Sequence, residues 1–386
     1  MAYYTIPKYI FVGKNALEEA ASTIATCGKK ALIVTGKRVG KSPMYEKLVE
    51  YLVREEVEYS VFDGITGEPT DTMIEEGLGI YEKDRCQFVI GIGGGSPLDA
   101  AKAIAAMSVF QGELADYMGR EMKGNLPPIV AIPTTAGTGS EATKFSIITD
   151  SKQGIKMLLK GDCMIPTIAV VDYDFSMDMP KSVTISTGLD ALTHAVEAYT
   201  SKKAFDLTDT LAVSAVKRIM KYLPLVYHNG YDALAREQMA LAALEAGICI
   251  NNSSVTIVHG MSRPIGALFH VPHGMSNAIL LKDCMEFALD GALERFATLG
   301  RAIGATSEQD TEQEAAEKFL VQVKKLCEKC HIPSLQNYKI YKNEYYKVIE
   351  KMAEDAIASG SPANTRKTVT KEDCIKIYKK VYSLLD

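Results

Sequence analysis

The sequence pattern changes near residue 180, and this change constrains the fold more than any other feature. Before it, short runs of apolar and β-branched residues alternate with segments of helical periodicity. Five runs predict buried strands, at residues 31–35, 59–62, 88–92, 129–132 and 168–171. Three intervening segments predict helices, at residues 44–55, 71–82 and 97–106. This alternation is typical of a parallel sheet covered by helices on both faces, with ligands at the carboxyl ends of its strands.

Beyond residue 181 the strand pattern nearly vanishes and helical periodicity dominates. Seven segments predict helices, at residues 183–200, 206–222, 232–250, 292–303, 312–330, 343–358 and 371–385. A chain of 386 residues is long enough for about two domains. We therefore predict an α/β domain over residues 1–180 and an all-α domain over residues 181–386.

Charge and cysteine use narrow the class of protein. The net charge is −5 and charged residues make up 24% of the chain, so there is no polybasic surface for nucleic acid or anionic lipid. No leader or long apolar span is evident, which predicts a cytoplasmic protein without a membrane or nucleic-acid partner. The eight cysteines are scattered, as reduced thiols would be. Cys327-x-x-Cys330-His331 has the spacing of a haem attachment, but without an export signal it predicts only a helix end.

Four residues have the spacing and chemistry of a metal site. Asp190 and His194 are four apart on a predicted helix and therefore project from the same face. His259 opens another helical stretch, and His273 follows in the string His-Val-Pro-His-Gly. One oxygen and three imidazole nitrogens suit a divalent cation. Because no cysteine takes part, the set predicts an exchangeable catalytic ion rather than structural zinc.

A glycine-rich turn between a strand and a helix predicts a cradle for nucleotide phosphate. Gly93, Gly94 and Gly95 would let the backbone approach a pyrophosphate, and Ser96 and Asp99 lie in the same turn and helix. Pro97 suits the first position of the helix, where its missing N–H costs nothing. A tight strand–helix turn without a ligand is the alternative interpretation.

A second loop, at residues 133–143, follows the next predicted strand. Thr134, Thr135 and Thr138 offer hydroxyls and amides to ribose or phosphate. Lys156 would add positive charge from the next hairpin. A solvated Ser/Thr loop remains the alternative for any single hydroxyl.

Four motifs in register resemble the iron-containing, group III alcohol dehydrogenases. The resemblance covers nearly the whole chain, and its motifs lie at residues 93–102, 133–143, 188–199 and 258–274. It implies a dehydroquinate-synthase-like fold, with an α/β dinucleotide-binding domain followed by an all-α metal-binding domain. It also implies NAD(P)-linked interconversion of small alcohols with aldehydes or ketones, and a homodimer or larger homo-oligomer. By the match, Asp190, His194, His259 and His273 would hold Fe²⁺, with Zn²⁺ in some relatives.

Two departures from this family bear on substrate and cofactor. Arg263 stands where relatives such as lactaldehyde reductases have histidine; it would favour anionic substrates or pair with a neighbouring carboxylate. NAD-preferring relatives have an aspartate just after the first predicted strand. This chain has Gly36, Lys37 and Arg38 there instead. Without that carboxylate, NADP(H) is favoured over NAD(H), unless the two cations only face solvent.

Three further positions receive no role from the sequence. Glu68 and Phe145 stand where relatives have asparagine, so expected cofactor contacts are missing. His270 lies in an apolar stretch and is predicted to be a packed residue rather than a proton shuttle.

Three alternative functions stay open at this point. One is a polyol dehydrogenase of the glycerol or propanediol type on the same scaffold. The second is a non-catalytic nucleotide-binding protein with a structural metal, and the third is a metal-dependent hydrolase. The sequence does not identify the alcohol or aldehyde, the metal in the cell or the direction of the reaction.

Overall fold

The structure is a computed structural model that describes residues 3–383 and contains two compact units. Tyr3–Asp178 forms the first unit, and the chain from Met179 onward forms the second. Among the described residues, no single helix has the length and apolar composition of a membrane span. The helices at Ala233–Asn252 and Ile257–Phe269 meet that test only as a pair, across a bend of 102°.

The first unit contains a six-stranded parallel sheet and a separate hairpin. The strands are β1 (Tyr9–Val12), β2 (Lys30–Val34), β3 (Glu58–Phe62), β4 (Phe88–Gly93), β5 (Ile129–Pro133), β6 (Phe145–Thr149), β7 (Lys156–Lys160) and β8 (Ile168–Val171). The sheet order is β1-β8-β5-β4-β2-β3, and β6 pairs antiparallel with β7. The five predicted strands are confirmed to within about a residue at each end. The pattern missed β1, an edge strand without a fully buried residue.

Helices cover both faces of this sheet. They are α1 (Ala16–Ala25), α2 (Pro43–Arg54), α3 (Asp71–Lys83) and α4 (Gly95–Met107). Alternate residues of β2 point to opposite sides, so Leu32 joins a core with Ile74 and Ile104, while Ile33 joins a core with Leu48. The predicted α/β architecture with a parallel sheet is confirmed. The prediction that Pro97 is the first residue of its helix was wrong. Helix α4 begins at Gly95, so the proline is its third residue.

The second unit is helical over its described residues. Its helices are α5 (Lys181–Thr200), α6 (Asp206–His228), α7 (Ala233–Asn252), α8 (Ile257–Phe269), α9 (His273–Ala288), α10 (Leu293–Ala302), α11 (Glu312–Lys329), α12 (Lys342–Ala358) and α13 (Lys371–Ser383). All seven predicted segments are helices, although α6 continues six residues beyond its predicted end at residue 222. The last two residues of the predicted segment 371–385 lie outside the described residues.

The segment that contains Cys327 and Cys330 is the end of a helix, as predicted. Cys330 is the first residue after α11, and it is buried. Burial raises the pKa of the Cys327 thiol to about 12 and that of Cys330 to about 11. Both thiols therefore stay protonated near neutral pH and act as small apolar side chains.

Helix α5 lies in the core of the second unit, and glycines allow its neighbours to approach. From Leu189 to Thr200 every residue is buried. A Cβ on Gly188 would lie 2.5 Å from Leu223 Cδ1 on α6. A Cβ on Gly274 would lie 2.3 Å from the Ser186 carbonyl oxygen, so the first turn of α9 packs directly on α5. This close packing places residues of α5 and α9 within contact distance.

Candidate metal centre and nucleotide cradle

Helix α5 presents Asp190 and His194 on one face, as their spacing predicts. Both side chains are buried, and His194 Nε2 lies 3.9 Å from Asp190 Oδ1. A buried carboxylate is costly unless positive charge or hydrogen bonds compensate it. Burial raises the pKa of Asp190, but the neighbouring histidines outweigh that effect and hold it far below its ordinary value. Asp190 is therefore an anion at neutral pH.

Helices α8 and α9 bring two more imidazoles to the same carboxylate. His259 Nε2 lies 3.6 Å from Asp190 Oδ1, and the His259 ring stacks on His194 with centroids 4.5 Å apart. His273, the first residue of α9, places Nε2 3.8 Å from the same oxygen. The close approach of α9 to α5 at Gly274 makes this last contact possible. The structure thus brings all four sequence-predicted residues together.

The donor set fits a divalent metal ion. One donor atom from each of Asp190, His259 and His273 lies within 4.8 Å of the other two. Tetrahedral ligands about 2.1 Å from a metal are separated by about 3.4 Å. The distances from Asp190 Oδ1 to the three imidazole nitrogens, 3.6 to 3.9 Å, exceed this value by only a few tenths of an ångström. A small contraction would therefore let Asp190, His259 and His273 bind one ion, whereas His194 is outside this group of three and would have to move further to become the fourth ligand.

The sequence analysis gave no role to Glu197, which contacts the ring nitrogen of His259 that does not face Asp190. Its Oε2 lies 2.5 Å from His259 Nδ1. Its Oε1 accepts hydrogen bonds from Thr256 Oγ1 at 2.7 Å and from the Val258 backbone N–H at 2.6 Å. Since a carboxylate only accepts here, Nδ1 carries a proton, which leaves Nε2 as the nitrogen that would offer its lone pair to a metal. The same carboxylate also caps the first turn of α8. Its position one turn after His194 was the available signal.

Asn277 is a second residue that the sequence analysis missed. Its side chain is fully buried on α9, one turn after His273. Nδ2 lies 2.7 Å from Asp190 Oδ1, 3.1 Å from His259 Nε2 and 3.3 Å from His273 Nε2. Among the described residues, its Oδ1 has no hydrogen-bond partner. The amide nitrogen therefore lies against three of the four donor atoms, and its two N–H groups can serve at most two of them at once.

Two other residues of α8 had open roles. Arg263 is half-buried, and its Nη1 group donates to Ser361 Oγ at 3.1 Å. The predicted alternative, an ion pair with a neighbouring carboxylate, does not occur among the described residues. The prediction that His270 is packed was wrong: it is exposed at the end of α8, with φ of 54°. The helix ends in a left-handed turn there, which turns the imidazole out of the apolar face.

The glycine turn between β4 and α4 has the form of an anion cradle. Gly93 has φ of +150°, and a Cβ there would lie 2.7 Å from Pro97 Cγ. A Cβ on Gly95 would lie 2.9 Å from Thr138 Cγ2, whereas one on Gly94 would meet nothing closer than 3.5 Å. Gly94 precedes α4 without a side-chain cap, so the first N–H groups of the helix, including that of Ser96, are left without a capping side chain and would be able to bind an anion. The cradle thus fits a phosphate group.

The second loop is tied to this turn by buried polar contacts. The Thr134 N–H donates to the Gly93 carbonyl oxygen at 2.8 Å, and Thr138 Oγ1 accepts from the Ser140 N–H at 3.3 Å. Thr135 is half-buried, with its methyl group 3.5 Å from where a Gly94 Cβ would lie. These contacts place the three threonines beside the glycine turn, and their binding of a nucleotide stays a prediction.

Asp99 and Lys102 join α4 to the second loop. Asp99 Oδ1 accepts from Ser140 Oγ at 2.6 Å, and Oδ2 accepts from the Ile147 N–H at 3.0 Å. Lys102 is fully buried and donates to Ser140 Oγ at 2.8 Å and to the Phe145 carbonyl oxygen at 2.9 Å. Burial lowers the pKa of Lys102 to about 8. Both oxygens of Asp99 are thus used within the unit, where they fix the shape of the cradle.

The other predicted cofactor residues lie in two places: Gly36, Lys37 and Arg38 follow β2, and Lys156 begins β7. Lys156 Nζ lies 2.6 Å from Glu68 Oε1, so the two positions that the sequence treated separately form an ion pair. Gly36 forms a bridge with Gly64 after β3. Lys37 and Arg38 are exposed, and neither pairs with a carboxylate in the part of the chain that the structure describes.

Comparison with known proteins supplies the family. Residues 7–173 match the family described as iron-containing alcohol dehydrogenase, and residues 184–382 match the C-terminal part of the Fe-containing alcohol dehydrogenase family. The chain belongs to the iron-containing alcohol dehydrogenases. This alcohol dehydrogenase is 34% identical over 382 residues to the NAD-dependent methanol dehydrogenase of Bacillus methanolicus, covering 98% of this chain and 99% of that protein.

Two other relatives of the dehydrogenase match over nearly the whole chain. The NADPH-dependent butanol dehydrogenase of Clostridium saccharobutylicum is 34% identical over 392 residues, covering 99% of this chain and 98% of that protein. The crystal structure of a 1,3-propanediol oxidoreductase superposes with a TM-score of 0.95 at 33% identity, covering 99% of this chain and 100% of that one. Both the fold class and the oxidoreductase class predicted from the sequence are confirmed.

Proposed function

We propose that this dehydrogenase interconverts small alcohols and aldehydes with a nicotinamide dinucleotide and one divalent metal ion. Fe²⁺ is the ion that we favour, and Zn²⁺ is the alternative. The convergence of Asp190, His194, His259 and His273 within the helical unit carries this proposal. The residues around 93–96 and 134–138 would hold the dinucleotide. Residues 1–180 would thus serve as the dinucleotide-binding domain, and residues 181–386 as the metal and substrate domain.

The chemistry follows from what the side chains can do. When bound, the metal supplies a Lewis acid for the alcohol or carbonyl oxygen, and the nicotinamide supplies or accepts the hydride. Asp190 contributes a negative charge, and the three imidazoles contribute neutral lone pairs. Glu197 keeps the proton of His259 on Nδ1, away from the donor cluster. Asn277 donates to Asp190 Oδ1 and limits its movement.

NADP(H) is the cofactor that we favour over NAD(H). The exposed cations Lys37 and Arg38 follow β2, and no described carboxylate neutralises them. A strand end of this kind is where the adenosine ribose lies in dinucleotide-binding folds, and cations there favour a 2′-phosphate. The relatives include both an NAD-dependent and an NADPH-dependent enzyme, so either cofactor is compatible with the family.

The donor set also bears on the alternative functions. Structural zinc sites are closed by four ligands, often thiolates, whereas carboxylate and imidazole donors leave a more exchangeable ion. A metal-dependent hydrolase would have no use for the glycine cradle. A polyol dehydrogenase remains the second candidate, because a 1,3-propanediol oxidoreductase has the same fold. A homodimer or larger assembly stays a prediction that light scattering would test.

One experiment separates these functions. The protein is loaded anaerobically with Fe²⁺ and mixed with NADPH or NADH and a panel of aldehydes and hydroxyaldehydes, while loss of reduced nicotinamide is followed. We expect metal-dependent oxidation of NADPH, faster with some aldehydes than with others. No oxidation of either cofactor with any member of the panel would exclude the proposed function.

A further inference from the structure

Arg263 carries a positive charge that its surroundings only partly satisfy. The side chain is half-buried, and the contact to Ser361 Oγ is its one hydrogen bond among the described residues. A guanidinium has five N–H donors in a planar fork that matches two oxygens of an anion. Burial lowers the pKa of Arg263 below its ordinary value, although the group stays charged at neutral pH. A half-buried guanidinium with one neutral partner is suited to an anionic ligand.

Arg263 also lies close to the donor cluster. It is one turn after His259 on α8, so the two side chains project from the same side of the helix. The negative charge of Glu197 raises the pKa of Arg263, but the two side chains are too far apart to form an ion pair. Both oxygens of Glu197 are already used by Thr256, Val258 and His259. Glu197 is therefore not available as a direct partner of Arg263.

A count of charges points the same way. Asp190 and Glu197 supply two negative charges, which a divalent ion at the donor cluster would balance. The imidazoles are neutral when they act as ligands. The positive charge of Arg263 is then left over. An uncompensated charge of this kind is costly in a partly buried site unless a ligand compensates it.

We propose, resting on the proposed function, that Arg263 binds an anionic group of the substrate through its fork of N–H donors. The substrate class is then short aldehydes and alcohols that carry a carboxylate or sulfonate. Two oxygens of such a group match the guanidinium fork, whereas a neutral alkyl chain leaves the N–H groups without acceptors. The metal would take the aldehyde oxygen of the same molecule.

The test compares neutral and anionic aldehydes of similar length in wild type, Arg263→Gln and Arg263→Lys. Butanal is paired with succinic semialdehyde, and acetaldehyde with sulfoacetaldehyde. We expect wild type to prefer the anionic member of at least one pair in kcat/KM, and the pair that responds identifies carboxylate or sulfonate. Arg263→Gln should lower that preference by about tenfold to a hundredfold, the value of a charge-assisted hydrogen bond. Arg263→Lys should fall between the two.

A binding measurement gives a readout that is independent of turnover. Isothermal titration calorimetry with propanoate and with ethanesulfonate should show binding to wild type that is at least tenfold weaker in Arg263→Gln. Arg301→Gln is the control, because Arg301 is exposed on α10. Metal content and circular dichroism spectra that match wild type show that the variants fold.

The two proposals fail in different ways. If aldehydes are reduced but Arg263→Gln leaves both the anionic preference and the anion affinity unchanged, the assignment of Arg263 is wrong and the proposed function stands. If no aldehyde is reduced by wild type, the proposed function is wrong, and the calorimetric comparison alone decides whether Arg263 binds anions.

Discussion

Glu197 Oε2 lies 2.5 Å from His259 Nδ1, and this contact fixes which nitrogen of the imidazole faces the donor cluster. The carboxylate holds a proton on Nδ1, so Nε2 is the nitrogen left to offer a lone pair to a metal. It also caps α8, the helix that carries His259. Orientation of the ligand and position of its helix therefore depend on one side chain.

Replacing Glu197 with glutamine should weaken metal binding in a protein that still folds. We expect Glu197→Gln to lower the affinity for Fe²⁺ or Zn²⁺ by about tenfold to a hundredfold, since residues that orient ligands have effects of this size. Competition with a chromogenic chelator measures the affinity directly. Glu350→Gln, at an exposed position on α12, is the control. An unchanged affinity in Glu197→Gln would show that the contact does not orient the ligand.

The spacing of Asp190 and His194 was enough to predict half of the metal centre, because both lie on one turn of one helix. Glu197 was missed because its partner His259 is 62 residues away and meets it only through packing of α5 on α8. The ion pair between Lys156 and Glu68 joins residues 88 positions apart and was missed for the same reason. Local periodicity predicts elements, whereas contacts of this kind depend on tertiary structure.

The glycine cradle offers a substitution that tests binding separately from folding. A Cβ on Gly94 has only ordinary contacts in the protein, the nearest at 3.5 Å, so Gly94→Ala should fold normally. The added methyl group would take up space that the pyrophosphate needs, and we expect the Kd for NADPH to rise by about tenfold or more. Titration of NADPH fluorescence measures this. Gly79→Ala, with open space around the Cβ, is the control. Equal Kd values would argue against a phosphate at Gly94.

Cofactor choice is best tested at Lys37 and Arg38 rather than at Gly36. A side chain at Gly36 would place its Cβ 2.7 Å from the Ile65 carbonyl oxygen, so Gly36→Asp would disturb the backbone as well as the charge. The double variant Lys37→Gln and Arg38→Gln should raise the Kd for NADPH by about tenfold and leave that for NADH nearly unchanged. Lys47→Gln on α2 serves as the control. An equal effect on both cofactors would contradict the assignment of NADP(H).

Glu141 should make the stability of the first unit depend on pH. Burial raises the pKa of its carboxyl from 4.5 to about 7. The folded state therefore binds a proton that the unfolded state has released between these values, and stability decreases as the pH rises through this window. From pH 5 to pH 7 wild type should lose about 2 kcal/mol more than Glu141→Gln.

Denaturant unfolding at the two pH values, followed by circular dichroism, measures this difference for the Glu141 variant. Glu75→Gln, exposed on α3, should follow wild type. If Glu141→Gln and wild type lose the same free energy of unfolding between pH 5 and pH 7, then Glu141 titrates normally in the folded protein.

The central claim is that Asp190, His194, His259 and His273 bind one divalent ion on which turnover depends. The most direct test measures bound metal, NADPH affinity and aldehyde reduction together in wild type and His259→Ala after anaerobic loading with Fe²⁺. We predict one ion per wild-type chain, and in His259→Ala loss of both metal and turnover with NADPH affinity nearly intact. A His259→Ala protein that still binds metal and reduces aldehydes at the wild-type rate would contradict the account.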